Sequence, residues 1–172
     1  TLNIDKSYIM HLAVGTSFAI IVPTSIVSVL THKKHKSVDM SIIKTYGLFV
    51  ILGVLGGTVF AALMKTKSLV LFFSLVVYFL GTYLLLFQEK TKETKKKFDF
   101  LSRLIFGFFS GFVSAIMGIA GAIINVPVLR HFGYPIKKAI GSAAAIGFII
   151  ALFGTIGFLI SGTFLESNLP LS

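Results

Sequence analysis

Apolar positions in this chain neither alternate nor fall on one face of a helix; they come in long runs separated by short polar segments. Five runs, over residues 10–30, 46–64, 69–87, 104–129 and 139–160, contain no Asp, Glu, Lys or Arg. Each is near or above the ~20 residues that cross ~30 Å of hydrocarbon at about 1.5 Å per residue. The pattern predicts an all-α, polytopic membrane helix bundle. The fourth run stands apart. Gly107, Gly111, Gly118 and Gly121 punctuate it, Asn125 and Pro127 interrupt it, and Leu104–Met117 alone is too short to span. A broken or re-entrant helix is therefore expected around 104–129; a kinked span and a re-entrant pair fit equally well.

An internal repeat refines the organisation. Ala13-Val14-Gly15-Thr16-Ser17-Phe18-Ala19 returns 126 residues later as Ala139-Ile140-Gly141-Ser142-Ala143-Ala144-Ala145, each copy opening an apolar run. Two parallel-oriented repeats follow as an expectation, 1–97 belonging to the first and 98–172 to the second. Extending the repeat makes these residues the middle of a protein of about eight spans.

Composition agrees with the runs: 55% of residues are hydrophobic, 13% charged, and mean hydropathy is +0.94. The net charge of +10 could suggest nucleic acid, but the cations lie between apolar runs, where they act as topology signals. No nucleic-acid partner is expected; the lipid bilayer is, and a homo-oligomer is compatible with the sequence. Lys33, Lys34, Lys36 and Lys44 follow the first run, and Lys90, Lys92, Lys95, Lys96, Lys97 and Arg103 follow the third. Loops 31–45 and 88–103 are thus expected to be cytoplasmic, with the KTKETKKK run a solvated linker. Thr1–Ile9 lacks the basic and apolar regions of a signal peptide. The chain has no cysteine, which excludes disulfides and thiolate sites, and no metal or other cofactor is expected.

The absence of intramembrane carboxylates argues against a cation pump. A negative solute could instead be held by free backbone N–H groups at a half-helix N-terminus, which carries about half a positive charge. Gly15, Gly118, Gly121 and Gly141 would let the backbone approach such a ligand, with Pro127 shaping the broken helix. Hydroxyls of Thr16, Ser17, Ser114 and Ser142 and the amide of Asn125 would complete the shell. Two alternatives stay open. Ser and Thr in membrane helices also bond back to their own carbonyls, and a buried Asn also locks helices together. His11, at a run boundary, is the candidate proton-coupling group, with interfacial packing as its alternative. Arg130, Lys137 and Lys138 are read as drawing anions to the outer mouth, or as snorkelling anchors.

AVGTSFAIIVPTS, its echo AIGSAAA, and GFFSGFVSAIMGIAGAIINVPVLRHFGYP resemble the TauE/SafE sulfite-exporter family of membrane permeases. The resemblance implies an eight-span transporter of two related halves in the bacterial inner membrane. It also implies small sulfur-containing or carboxylate anions, such as sulfite and sulfoacetate, as substrates. Where that family reads G-x-G-G-G, this chain has Gly118-Ile119-Ala120-Gly121-Ala122, which narrows the backbone room.

A secondary transporter for small anions is therefore expected, since no GxxxxGK[ST] links this segment to ATP. An enzyme would need paired carboxylates or a His cluster at depth, and the four His residues are scattered over loops and run ends, so no enzyme is expected. The remaining rival is a non-transporting scaffold or assembly subunit whose glycines serve packing alone.

Overall fold

The computed structural model describes residues 9–86 and 98–166, and every regular element among them is an α-helix. The order is α1 (Ile9–Lys34), α2 (Met40–Leu63), α3 (Thr66–Leu86), α4 (Phe100–Met117), α5 (Ala122–His131) and α6 (Ile136–Glu166). The KTKETKKK run and the lead-in before Ile9 lie outside the described residues. Four of the helices, α1, α2, α4 and α6, are long and apolar enough to cross a membrane. The fourth run is indeed broken, at 118–121. Its first half is nevertheless longer than expected. α4 begins at Phe100 rather than Leu104, because Arg103 does not end the helix but lies 5.3 Å over the Phe98 ring.

α4 packs chiefly against α2, α1 against α6, and α6 also against α2 and α5. Residues on the two sides of position 97 are thus interleaved. The α2–α4 seam is unusually close because glycine lines both sides. A Cβ on Gly53 or Gly57 would run into the backbone of Phe108 or Phe112 on α4. One on Gly111 would meet the Val50 carbonyl of α2. Small residues at such a crossing let backbones touch, which is how membrane helices gain contact without a hydrophobic driving force. Phe18, Val50, Val54, Ile146 and Ile150 fill the centre between α1, α2 and α6.

Pairings fix the directions. Ser114 lies beside Gly121, Ser110 bonds Asn125, and Phe98 and Phe106 both contact Phe132, so α4 and α5 run antiparallel. The pair begins and ends at one end of the bundle. α5, at ten residues, rises only ~15 Å. Gly15 faces Phe158 and Phe18 faces Gly154, so α1 and α6 also run antiparallel. The two copies of the repeat therefore do not enter from the same end, as the parallel-repeat reading required. The parallel orientation of the two repeats is thus not confirmed.

The antiparallel α4–α5 pair corrects the charge map. Asp39 donates its N–H to Ser142 Oγ at 3.0 Å, and Lys138 Nζ lies 3.8 Å from the Asp39 carboxylate. Arg130, Lys137 and Lys138 therefore share an end with loop 31–45 and do not form an opposite mouth. Lys33, Lys34, Lys36, Lys44, Arg103, Arg130, Lys137 and Lys138 gather there, against Lys65 and Lys67 at the other end.

Candidate functional site

The break is built by two glycines in the left-handed region. Gly118 (φ 68°) closes α4, its N–H donating to the Ser114 carbonyl, and Gly121 (φ 67°) opens α5. An L-residue in this region costs ~1–2 kcal/mol, which is why glycine holds both positions. The chain is also seated tightly. A Cβ on Gly121 would stand 2.6 Å from Ile150 Cδ1 and 2.8 Å from Ser114 Oγ. Opposite, Gly147 of α6 presses on the Ala120 carbonyl, a Cβ there falling 2.7 Å from its oxygen. α1 closes the next side, since Val14 touches Gly118.

Asn125, one turn into α5, is fully buried. Its Oδ1 accepts from the Tyr46 hydroxyl at 2.7 Å and the Ser110 hydroxyl at 2.9 Å, while its Nδ2 donates to the Gly121 carbonyl at 2.9 Å. One amide thus ties α2, α4 and the start of α5. Tyr46 and Ser110 are the residues that sequence reasoning missed. The available signal was a Tyr opening an apolar run, because a buried phenol needs a partner.

Ser114 differs from every other buried hydroxyl. It is fully buried, and its Oγ has no hydrogen-bond partner among the described residues. At the start of α5 the Ile124 and Asn125 N–H groups donate to the Gly121 carbonyl, and those of Ala122 and Ile123 have no backbone acceptor among the described residues. Gly121, as the cap, has no side chain to cover them. Residues 12–31, 45–64, 104–129 and 139–165 contain no Asp, Glu, Lys or Arg, so the break carries partial charges only. Among the described residues no cluster of His, Asp and Glu could hold a metal ion.

The remaining candidates lie apart from this group. Gly15 faces Phe158, and Thr16 and Ser17 donate back to carbonyls of their own helix, Thr16 to Leu12 and Ala13 and Ser17 to Ala13. Ser142 holds the Asp39 N–H, and Gly141 packs its Cα against the Ser37 carbonyl, both at the basic end. His11 Nε2 donates to the Ala61 carbonyl at 2.9 Å, joining α1 to the far end of α2. Pro127 lines a separate apolar cavity of about 380 Å³ between α3, α4 and α5, with Leu80, Phe106, Ile123 and His131.

A family model described as "Sulfite exporter TauE/SafE" matches residues 4–171. A probable membrane transporter protein of Haemophilus influenzae is 35% identical over 161 residues, covering 93% of this chain and 61% of the relative. Similarly named proteins of Methanocaldococcus jannaschii and Bacillus subtilis are 24% and 25% identical, each over 88% of this chain and over 57% and 63% of their own. The chain thus spans about three fifths of the length of the curated relatives it matches. No solved structure matches it significantly.

Proposed function

The chain belongs to the sulfite exporter TauE/SafE family, and on that premise we propose that it forms part of a secondary transporter for small anions such as sulfite, sulfoacetate or related carboxylates. The single observation that carries this reading is the α4–α5 break. It sets an unpartnered buried hydroxyl, Ser114, against the start of a half-length helix. Irregular backbone at membrane depth is tolerated where protein buries it or a cavity receives it, and half-helix ends facing a cavity are where transporters hold ions. In this reading α4 and α5 form a re-entrant hairpin. Ser114, Gly118, Gly121 and the first turn of α5 form the cradle, and Asn125 fixes its shape.

The protein would sit in the bacterial inner membrane with its basic end, including loops 31–45 and 88–103, in the cytoplasm. The cations at that end would raise the local concentration of anions. His11 keeps a place as a proton-coupling candidate only if the Ala61 contact opens during the cycle.

The glycine seam between α2 and α4 favours the second reading, a scaffold in which close packing is the purpose. Flux decides between them. Proteoliposomes holding the full-length protein and loaded with labelled sulfite should release it faster than protein-free vesicles. Gly121→Leu should abolish release while leaving membrane insertion intact. No release from the wild type, or full release from Gly121→Leu, would reject the cradle.

A further inference from the structure

We infer that the break accepts an oxyanion group bearing one negative charge and rejects a doubly charged group of the same size. The inference rests on the anion-transport reading and adds a charge rule to it. Three observations support it. The first is Ser114. The other buried hydroxyls are all engaged: Ser25 donates to the Val22 carbonyl, Thr58 to that of Leu55, Ser110 to Asn125, and Ser142 accepts from Asp39. Ser114 alone among them is unpartnered, although the Ser110 carbonyl lies one helical turn back. Its Oγ points at Gly121, so a hydroxyl donor is left aimed at the start of α5.

The second observation is the helix end itself. The Ala122 and Ile123 N–H groups have no backbone acceptor among the described residues, and both residues are exposed. Together with the aligned peptide dipoles they supply about half an elementary charge. The third is the surroundings. No Lys, Arg, Asp or Glu lies on the stretches of α1, α2, α4, α5 or α6 that pack around the break. Of the titratable groups on these helices, Tyr46 is engaged by Asn125 and His11 by the Ala61 carbonyl.

The arithmetic of charge then selects. Attraction to a fixed partial charge grows in proportion to the ligand's charge, whereas the penalty for stripping its water grows with the square of that charge. A site with a full cation could offset a dianion; one with neutral donors and half a charge favours a monoanion. A sulfonate, carboxylate or singly protonated oxyanion group fits the rule. Ile150 Cδ1, Ser114 Oγ and Asn125 Nδ2 stand 2.6, 2.8 and 3.0 Å from where a Cβ on Gly121 would lie, so the group enters only as these side chains move aside.

Methanesulfonate and sulfate separate charge from shape, because they are close in size and keep charges of one and two near neutral pH. Binding of each to the purified full-length protein, measured by calorimetric titration, is the test. Methanesulfonate should bind, and sulfate should bind at least about tenfold more weakly, equivalent to ~1.4 kcal/mol. Ser114→Ala should weaken methanesulfonate by about tenfold, the loss of one hydrogen bond to a charged group. Sulfate binding as tightly as methanesulfonate would overturn the charge rule and leave anion transport standing. Unchanged affinity in Ser114→Ala would remove the hydroxyl from the site and overturn the inference. If neither anion binds, the charge rule and the anion reading fall together.

Discussion

Replacing Asn125 tests whether one buried amide holds the break in place. Its side chain makes three hydrogen bonds: from Tyr46 at 2.7 Å, from Ser110 at 2.9 Å and to the Gly121 carbonyl at 2.9 Å. Side-chain bonds between membrane helices average ~0.6 kcal/mol and reach ~1.7. Tyr46→Phe keeps the ring packed against Phe98 and removes one bond to the amide, so it should cost ~0.6–1.7 kcal/mol. Asn125→Leu removes all three and strands the Ser110 hydroxyl, which puts the expected loss at ~2–5 kcal/mol on the same scale. The Tyr46–Asn125 bond is counted in both single changes. The double variant should therefore cost less than their sum by ~0.6–1.7 kcal/mol. Reversible unfolding in mixed micelles of rising SDS content, followed by circular dichroism, gives all four stabilities. Additivity within about 0.5 kcal/mol would show no coupling and refute the lock.

Gly53→Ala drives a methyl into the Phe108 carbonyl and should cost ~1–3 kcal/mol, whereas Gly81→Ala meets nothing within 4 Å and should gain up to ~1 kcal/mol. The same SDS titration reads both, and equal effects would reject the seam. Asp39→Ala loses the N-cap bond to Ser41 and should cost ~1 kcal/mol in that titration, while Lys138→Ala, from a half-exposed pair, should stay under about 0.5; the reverse order would mean that the ion pair matters more than the cap. Burial, and then the Asp39 carboxylate, push the Tyr134 phenol above its ordinary 10.0, with Arg103 opposing. The folded state then holds this proton more tightly than the unfolded chain. That contribution to stability is complete below pH 10 and is lost as pH rises through the folded value. Melting temperatures measured across that range should fall less steeply for Tyr134→Phe than for wild type, and parallel curves would contradict the assignment.

Helices were legible because charge-free runs of about twenty residues have few other solutions in lipid. Their ends were less so. α2 starts at Met40, ahead of Lys44, and α4 at Phe100, ahead of Arg103, since long cationic side chains leave a helix sideways and need not stop it. Gly118 and Gly121 announced the break, and both adopt the conformation that only glycine takes readily. Pro127 pointed the wrong way. It sits inside α5 and faces a cavity apart from the break. The partners of Asn125 were hidden because Tyr46 lies 79 residues away, a distance that periodicity within one helix cannot span. The sequence also carries a signal for the direction of α6. Arg130, Lys137 and Lys138 outnumber Lys65 and Lys67, and counting every loop would have placed them beside loop 31–45.

Where Gly53 and Gly57 meet Phe108 and Phe112, main chain lies on main chain with no cushion of side chains between. Such a joint has no slack to shear: a shift by one residue would drive carbonyl oxygens into peptide groups. α2 and α4 therefore form a single stiff beam. The short limb after Gly121 is held to that beam by the Asn125 amide and the Phe106–Phe132 contact, and rests on α6 on its other side.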